Sequence, residues 1–379
     1  MKNRELAIYC DQRIAEEFCN FRCEYCEGFC PTDYSLKRDE NGSLHVAKEW
    51  FENISEMPES VQSFFEKRRG FEEFYSLARQ VMLKNRELME TDILKISGGE
   101  LSVYHDLCNF VNSIHRDYKM IQILSNGSNI REEDISKYKK MGNIVFQISI
   151  DGVTPAANYS KSHSEQITKK VVETIEKLLD NGIGVEINCV LTKYNTDKFK
   201  EFLEQFGKYE KLCIVPRPVR GEPRQILDAN REQIESLEKC IDSNYYIYSS
   251  ILPPISYFER MIEIMKTGER NYNCYIPYFV QSIDGYGNLE KCPIGILYSG
   301  QKNVLSEKID SNKILINSGY DSLKKHEKCH YCINQYEMFN LFVDDIIKLD
   351  ELRKLPSLNN DEILSDVQNI KRRIKVKEK

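Results

Sequence analysis

Cys19, Cys23 and Cys26 stand in the run Cys19-Asn20-Phe21-Arg22-Cys23-Glu24-Tyr25-Cys26, a C-x3-C-x2-C pattern. Three thiolates this close do not share one regular helix face, but in a loop they can converge on one metal centre. A [4Fe–4S] cluster normally takes four cysteine ligands. Three leave one iron open, and an open position is what binding a substrate to a metal requires. A zinc site is the competing reading. Zinc takes four closed ligands, and nearby Cys30 or Cys10 would supply the fourth.

A second set, Cys274, Cys292, Cys329 and Cys332, reads C-x17-C-x36-C-x2-C, with Gly287 in a turn just before Cys292. Spacing alone allows zinc or iron–sulfur here, because both accept four thiolates. His326 and His330 flank the C-x-x-C as stand-in ligands. Cys108, Cys189, Cys213 and Cys240 sit in apolar helix or strand patterns and read as free buried thiols. The chain has 13 cysteines, an odd number that cannot all pair. Reduced thiols in clusters point to metal or redox chemistry.

The elements that must position these residues alternate. Glu5 to Cys10, Ile93 to Ile96, Ile121 to Leu124, Ile144 to Ile150, Val185 to Leu191 and Leu212 to Val215 are short apolar runs that read as strands. Helical patterns separate most of them. Residues 47–89 carry Phe71, Phe74, Leu77, Ala78, Val81, Met82 and Leu88 near helical spacing. Residues 166–180 place Ile167, Val171, Ile175, Leu178 and Leu179 on one face, and Asn181-Gly182 ends that helix. Alternation of this kind predicts a parallel sheet with right-handed crossovers. The fold class is α/β, a partial (β/α)6 barrel, in which residues just after the strands form the active site. Residues 226–268 read as mainly helical. Tyr278 to Ile283 and Asn288 to Cys292 read as a hairpin about the turn Asp284-Gly285-Tyr286-Gly287.

Composition narrows the function. The formal net charge is −6, which argues against non-specific nucleic-acid binding, since that needs an excess of Lys and Arg. The basic end, Lys371 to Lys379, reads as a solvated, fraying tail. No apolar run is long enough to cross a bilayer, and Met1-Lys2-Asn3-Arg4-Glu5 lacks the apolar region of a secretory signal. The expected location is the cytoplasm, where a disulfide framework is not expected.

The cysteine loop, with an aromatic residue before its third cysteine, resembles the radical S-adenosylmethionine (SAM) superfamily. Four further signals follow in order. Ser97-Gly98-Gly99-Glu100 is similar to the family's Gly-Gly-Glu motif, although Leu101 stands where Pro is common. Ser125-Asn126-Gly127 is similar to Thr-Asn-Gly. Gln147-Ile148-Ser149-Ile150-Asp151-Gly152 is the next, with Ser149 and Asp151 alternating with Gln147 on one strand face, and in Asn188 to Asn195 the apolar strand resembles the family's fifth. The resemblance covers roughly residues 5–222. It implies that Cys19, Cys23 and Cys26 hold a [4Fe–4S] cluster, that SAM chelates its open iron, and that reductive cleavage yields a 5′-deoxyadenosyl radical. Tyr25 would lie near the adenine and Glu100, with Ser97, Gly98 and Gly99, near the amino group. Ser125 and Asn126 would line the site, and Ser149 and Asp151 would touch the ribose. Arg217, or Arg220, would pair with the SAM carboxylate or a substrate anion. The distance from Cys26 to Gly98 exceeds that of a minimal core, so 47–89 would form a lid or substrate wall.

The later cysteines resemble the twitch domain, the shortened SPASM form, which holds one auxiliary [4Fe–4S] cluster. That resemblance implies a core at 1–225 with a helical extension at 47–89. A helical linker at 226–270, a twitch-type domain at 271–335 and a helical tail at 336–379 would follow. A fully ligated auxiliary cluster suits electron transfer, so the expected activity is oxidative crosslinking or dehydrogenation of a peptide. The core begins near Met1, with no N-terminal peptide-recognition domain expected, so a partner protein or 47–89 would bind the leader. The alternative is a twitch-type small-molecule dehydrogenase of the amino-sugar kind. A zinc-binding scaffold without SAM chemistry is a third reading, and the SAM-facing motifs argue against it. An external one-electron reductant, a flavodoxin or ferredoxin, is implied as partner. No side chain is assigned as base or hydrogen donor; Cys30, Tyr286 and Asp284 are merely near the site.

Overall fold

A computed structural model of the chain describes residues 5–15, 19–21, 23–26, 36–38, 44–46, 71–103, 106–290, 292–293, 303–305 and 327–377. Among the described residues, eight strands make one sheet. They are β1 Glu5–Ala15, β2 Met89–Gly98, β3 Met120–Ser125, β4 Ile144–Ser149, β5 Gly184–Leu191, β6 Leu212–Pro218, β7 Val280–Ile283 and β8 Leu289–Glu290. The order is β8-β7-β1-β2-β3-β4-β5-β6. All neighbours are parallel except β8, which runs antiparallel to β7. Leu36–Arg38 and Leu44–Val46 form a separate antiparallel pair.

Helices α1 Phe71–Leu88, α2 Leu107–Ile114, α3 Glu132–Met141, α4 Glu165–Asp180 and α5 Phe199–Phe206 each precede one of the strands β2 to β6. Parallel neighbours need such crossovers. The α/β class and the six-strand parallel core therefore stand as the sequence predicts. One face of each strand packs on helices: Phe146 of β4 meets Tyr138 of α3 at 5.1 Å, and Cys10 of β1 accepts from Asn85 of α1 (3.4 Å). Cys10 is thus committed to the helix layer.

The opposite face is polar. Gln122 of β3 donates to Glu186 of β5 (2.7 Å) although β4 lies between those strands, so the two meet across the concave side of the sheet. Ser357 bonds to Tyr9 (2.6 Å) and to Glu186, closing the lower end of that concavity. Higher up, Lys95 pairs with Asp11 (3.4 Å), and Tyr336 donates to the same carboxylate (3.1 Å).

Two expectations fail. β1 runs on to Ala15, because Asp11 and Arg13 are inward polar residues of a strand, not a loop. The C-terminal stretch is a packed helix, Asp361–Lys377. Ile363, Leu364, Val367, Ile370 and Ile374 form its buried stripe, each worth about 1.5–3 kcal/mol relative to exposure. Lys371 is 9% exposed and bonds to Phe342 O and Asp345, so Lys371–Lys377 is not a solvated tail. Residues 47–70, Cys30 and His326 lie outside the described residues. Among the described residues no helix is long and apolar enough to cross a membrane.

After β6 come α6 Arg231–Tyr248 and α7 Ile255–Thr267, as the helical reading of 226–268 predicts. The hairpin then forms about its predicted turn. Its first strand pairs with β1, from Tyr9 opposite Val280 to Gln12 opposite Ile283. The region of the later cysteines is therefore hydrogen-bonded to the edge of the core sheet.

Candidate functional site

The carboxyl ends of the strands are tied together by buried polar side chains. Glu100, 1% exposed, follows β2. Its Oε1 accepts from Ser125 Oγ (2.7 Å), Ser102 N (3.0 Å) and Ser102 Oγ (2.6 Å), and its Oε2 accepts from Asn126 N (2.6 Å). The ends of β2 and β3 are thereby joined. A carboxylate has about four acceptor positions, so Oε2 keeps capacity for a further donor. Gly127 is required here: φ is +74°, and a Cβ would come within 3.1 Å of Ile148 and 3.2 Å of Val171.

The cysteine loop hangs on the same network. Asn126 Nδ2 donates to Asn20 Oδ1 (2.7 Å), and Asn20 Nδ2 donates to Ser128 Oγ (3.0 Å). Tyr25 donates to Asp151 Oδ2 (2.5 Å), whose Oδ1 accepts from Val190 N (2.9 Å). Glu24 N donates to Ser160 O (2.8 Å). Burial pushes the Asp151 carboxyl up, opposed by Lys161 and the Tyr25 bond. Ser97 reaches Asp11 (3.4 Å), and Ser149 accepts from Asn188 (3.5 Å). Gly98 and Gly99 are half-buried at the end of β2.

Cys26 is exposed, and Cys19 and Cys23 are half-buried. Burial pushes the Cys19 thiol up, and charge on Cys23 pushes it further. The Cys23 thiol is raised to about 12, against the lowering effect of Lys161. Arg217, at the end of β6, is half-buried with Tyr25 and Asp151 among its electrostatic neighbours. Sequence reasoning missed Lys161. Its side chain is 7% exposed, and its amine lies 5.5 Å from the Tyr25 ring centroid. Burial alone would push that ammonium down; charge on Cys23 and Asp151 holds it up. It sits in an irregular segment after β4, where no periodicity marks it. Val190, Val219 and Leu227 form a small apolar cluster against Tyr25 and Tyr194.

The later cysteines are all buried: Cys274 8%, Cys292 7%, Cys329 6% and Cys332 5% exposed. Cys274, Cys329 and Cys332 all act on the charge of Arg270. Tyr331, inside the C-x-x-C, lies under Arg224 at 3.3 Å, and Arg224 follows β6. Among the described residues, no three His, Cys, Asp or Glu side chains stand together as a site for a metal ion.

Residues 16–206 match the family model described as the radical SAM superfamily. The chain belongs to the radical SAM superfamily. A curated relative is a GTP 3′,8-cyclase of Sulfurovum sp. (strain NBC37-1), 26% identical over 181 residues, 47% of this chain and 44% of that one. The chain spans about half the length of the curated relatives it matches first. Among solved structures, Streptococcus suis SuiB bound to S-adenosylmethionine superposes with a TM-score of 0.56 at 12% identity, covering 85% of this chain and 66% of that one. Native anSMEcpe with bound AdoMet superposes at 0.54 and 13% identity, covering 96% and 99%. At such identities the likeness is one of fold.

A radical SAM enzyme implies a [4Fe–4S] cluster and SAM. The donor types at this mouth suit both. Three thiols on one loop are the ligand set of a cluster with one open iron, although in this structure they do not stand together as a metal site. A buried carboxylate with spare acceptor capacity, Glu100, suits an ammonium group. A buried ammonium with no side-chain hydrogen bond among the described residues, Lys161, and the guanidinium of Arg217 suit a carboxylate. The donor set is complementary to an amino-acid zwitterion.

Proposed function

We propose that Cys19, Cys23 and Cys26 hold a [4Fe–4S] cluster and that the chain cleaves SAM reductively to modify a peptide by oxidation. The observation that carries this reading is the attachment of the thiol loop to the strand ends, through Tyr25 to Asp151 and through Asn20 to Asn126. Bound there, the cluster and SAM supply a 5′-deoxyadenosyl radical that takes a hydrogen atom from substrate. The chain's own residues bind and orient. Glu100 accepts from the amino group of SAM, beside the open backbone of Gly98 and Gly99. Lys161 and Arg217 face its carboxylate. Ser125, Asn126 and Ser97 hold the strand ends in register, and Ser149 and Asp151 face the ribose. Tyr25, anchored on Asp151, lies against the adenine. Exposed Cys26 leaves the loop within reach of an external ferredoxin or flavodoxin, in a cytoplasm that keeps thiols reduced.

Cys274, Cys292, Cys329 and Cys332 hold a second [4Fe–4S] group in this reading. Removing a hydrogen atom leaves a substrate radical, and losing one more electron and a proton completes a crosslink or a double bond. The second group is the electron acceptor. The peptide class draws support from fold neighbours whose structures contain peptides: SuiB bound to precursor peptide SuiA, and anSMEcpe bound to the Cp18Cys peptide. A small-molecule substrate, of the amino-sugar kind, is the second reading, and it draws support from the curated relatives named for GTP.

Anaerobic incubation with SAM and dithionite tests both. Deoxyadenosine formation stimulated by a precursor peptide encoded beside the gene, with loss of two hydrogens from that peptide, is the expected result. Stimulation by amino sugars and not by the peptide would replace it with the second reading.

A further inference from the structure

Asp11, Glu186 and Glu290 are buried carboxylates on the polar side of the sheet, and two of them are filled by structural partners. Glu186 accepts from Gln122 (2.7 Å), from Ser357 N (3.0 Å) and from Ser357 Oγ. Glu290 accepts from both terminal nitrogens of Arg13 and from Ser282 (2.8 Å). Asp11 is held more loosely. Tyr336 donates to its Oδ2 at 3.1 Å, and Lys95 stands 3.4 Å from the same oxygen. Lys95 also donates to the Tyr336 hydroxyl (3.3 Å), so the three groups form a closed set. Among the described residues, Oδ1 of Asp11 has only Ser97, at 3.4 Å. A carboxylate has about four acceptor positions, so Oδ1 keeps room for one more donor.

The strand pattern says where that oxygen faces. Cys10 and Gln12 point to the helix layer, where they meet Asn85 and the Ala78 carbonyl. Side chains alternate along a strand. Asp11, between them, therefore points to the concave side, with Lys95 directly across on β2. Below it the concavity is closed: Gln122 and Glu186 are fully buried, whereas Asp11 keeps 6% of its surface. Above it stand Ser97 and then Gly98-Gly99-Glu100, the residues read as holding the amino group of SAM. Asp11 is thus the carboxylate on which the open part of the concavity ends, next below that motif.

The oxidative reading leaves one proton without a destination. Once a hydrogen atom has been taken from a substrate carbon, an N–H, O–H or S–H beside that carbon must break. Its electron pair and the unpaired electron on carbon make three electrons. Two form the new bond to carbon, and one leaves to a one-electron acceptor, an iron–sulfur cluster in that reading. The proton needs a base within hydrogen-bond reach.

We propose that Asp11 is that base: its carboxylate takes the proton of the substrate N–H, O–H or S–H and becomes a carboxylic acid, with Lys95 and Tyr336 as its positioning residues. This rests on the oxidative reading of the site and names a residue for the second half of the reaction.

The test follows deoxyadenosine and oxidised product separately. It uses the anaerobically reconstituted chain with SAM, dithionite and a deuterated form of the precursor peptide encoded beside the gene. Asp11→Asn keeps the shape and removes the base. Hydrogen abstraction does not need Asp11, so deoxyadenosine carrying deuterium should still form at close to the parent rate. Oxidised peptide per deoxyadenosine should fall by about a hundredfold or more, the usual worth of a positioned base. The affinity of the reconstituted chain for the peptide, measured by calorimetry, should stay near the parent's. Asp11→Glu should return part of the oxidised product, and Tyr336→Phe should lower the ratio less than Asp11→Asn does. A melting curve accompanies each variant. Should Asp11→Asn not fold, Asp11→Asn with Lys95→Met, which leaves no unpaired buried charge, takes its place with the same expectation. An unchanged ratio of oxidised peptide to deoxyadenosine would overturn the proposal. So would equal losses of both, or a peptide affinity that falls along with the ratio, because Asp11 would then serve to bind SAM or substrate. A parent that forms deoxyadenosine and leaves the peptide unoxidised would overturn the oxidative reading and this proposal with it, and the parent alone shows that failure.

Discussion

The two thiol sets of this chain are built in opposite ways. The first lies on a loop at the mouth of the sheet, with Cys26 exposed and Cys19 and Cys23 half-buried. Hydrogen bonds hold that loop, and Lys161 and Arg217 are the cations among the electrostatic neighbours of its residues. In the second set all four thiols are buried. Arginine–aromatic stacks and buried ion pairs surround it, and Tyr275 N donates to Asn340 Oδ1 (2.6 Å). A partly exposed set is open to a small ligand; a buried set is better suited to electron transfer than to binding substrate. Position on the sheet explains the difference. The first set follows β1 at the barrel mouth, whereas Cys274 of the second stands between Tyr272, over which Arg260 of α7 lies, and Tyr275, which bonds to Asn340 of the helix Glu337–Val343.

The comparison can be broken by removing one thiol at a time. Cys23→Ala should reduce deoxyadenosine formation to background and leave the iron of the second site in place. Cys329→Ala should do the reverse: deoxyadenosine still forms, while oxidised substrate is lost. Any variant that abolishes both would show that the two sets are not independent.

Smaller changes sharpen it. Lys161→Ala should raise the KM for SAM by about ten- to a hundredfold, the worth of a charge-assisted hydrogen bond of about 1.5–3 kcal/mol. Lys161→Arg should restore most of it, and the potential of the second site should not move. The smallest effect belongs to the second region. Burial lifts the Glu337 carboxyl from its ordinary 4.5 to about 7, against the pull of Arg260. Between those values the folded chain holds a proton that the unfolded chain has released. The stability this provides is complete below about pH 4.5 and is lost as pH rises through 7. Thermal melts of the metal-free chain from pH 5 to 8 should show that decline, and Glu337→Gln should flatten it.

Most of the fold was legible because apolar runs of strand length alternate with helical stripes from Ile93 to Val215. The site motifs were legible because each follows one of those runs, as Glu100 follows β2 and Asp151 follows β4. What sequence missed lies where side chains answer to three-dimensional neighbours. β1 was cut short because Asp11 and Arg13 interrupt its apolar run; in the sheet they point into a polar concavity, and Arg13 pairs with Glu290 of β8. The C-terminal helix was expected, but the packing of its end was hidden by its basic residues, although Ile363, Val367, Ile370 and Ile374 keep helical spacing. Lys161 sits in an irregular segment, and only the proximity of Tyr25 marks it.

The central claim is that two separate thiolate sets hold two iron–sulfur clusters. Iron and sulfide counted in the anaerobically reconstituted chain, and in the Cys19/Cys23/Cys26→Ala variant, test it most directly. Two clusters predict about eight irons in the parent and about four in the variant, with zinc absent. About four irons in the parent and none in the variant, with one zinc in each, would contradict it and remove the electron acceptor on which the oxidative reading depends.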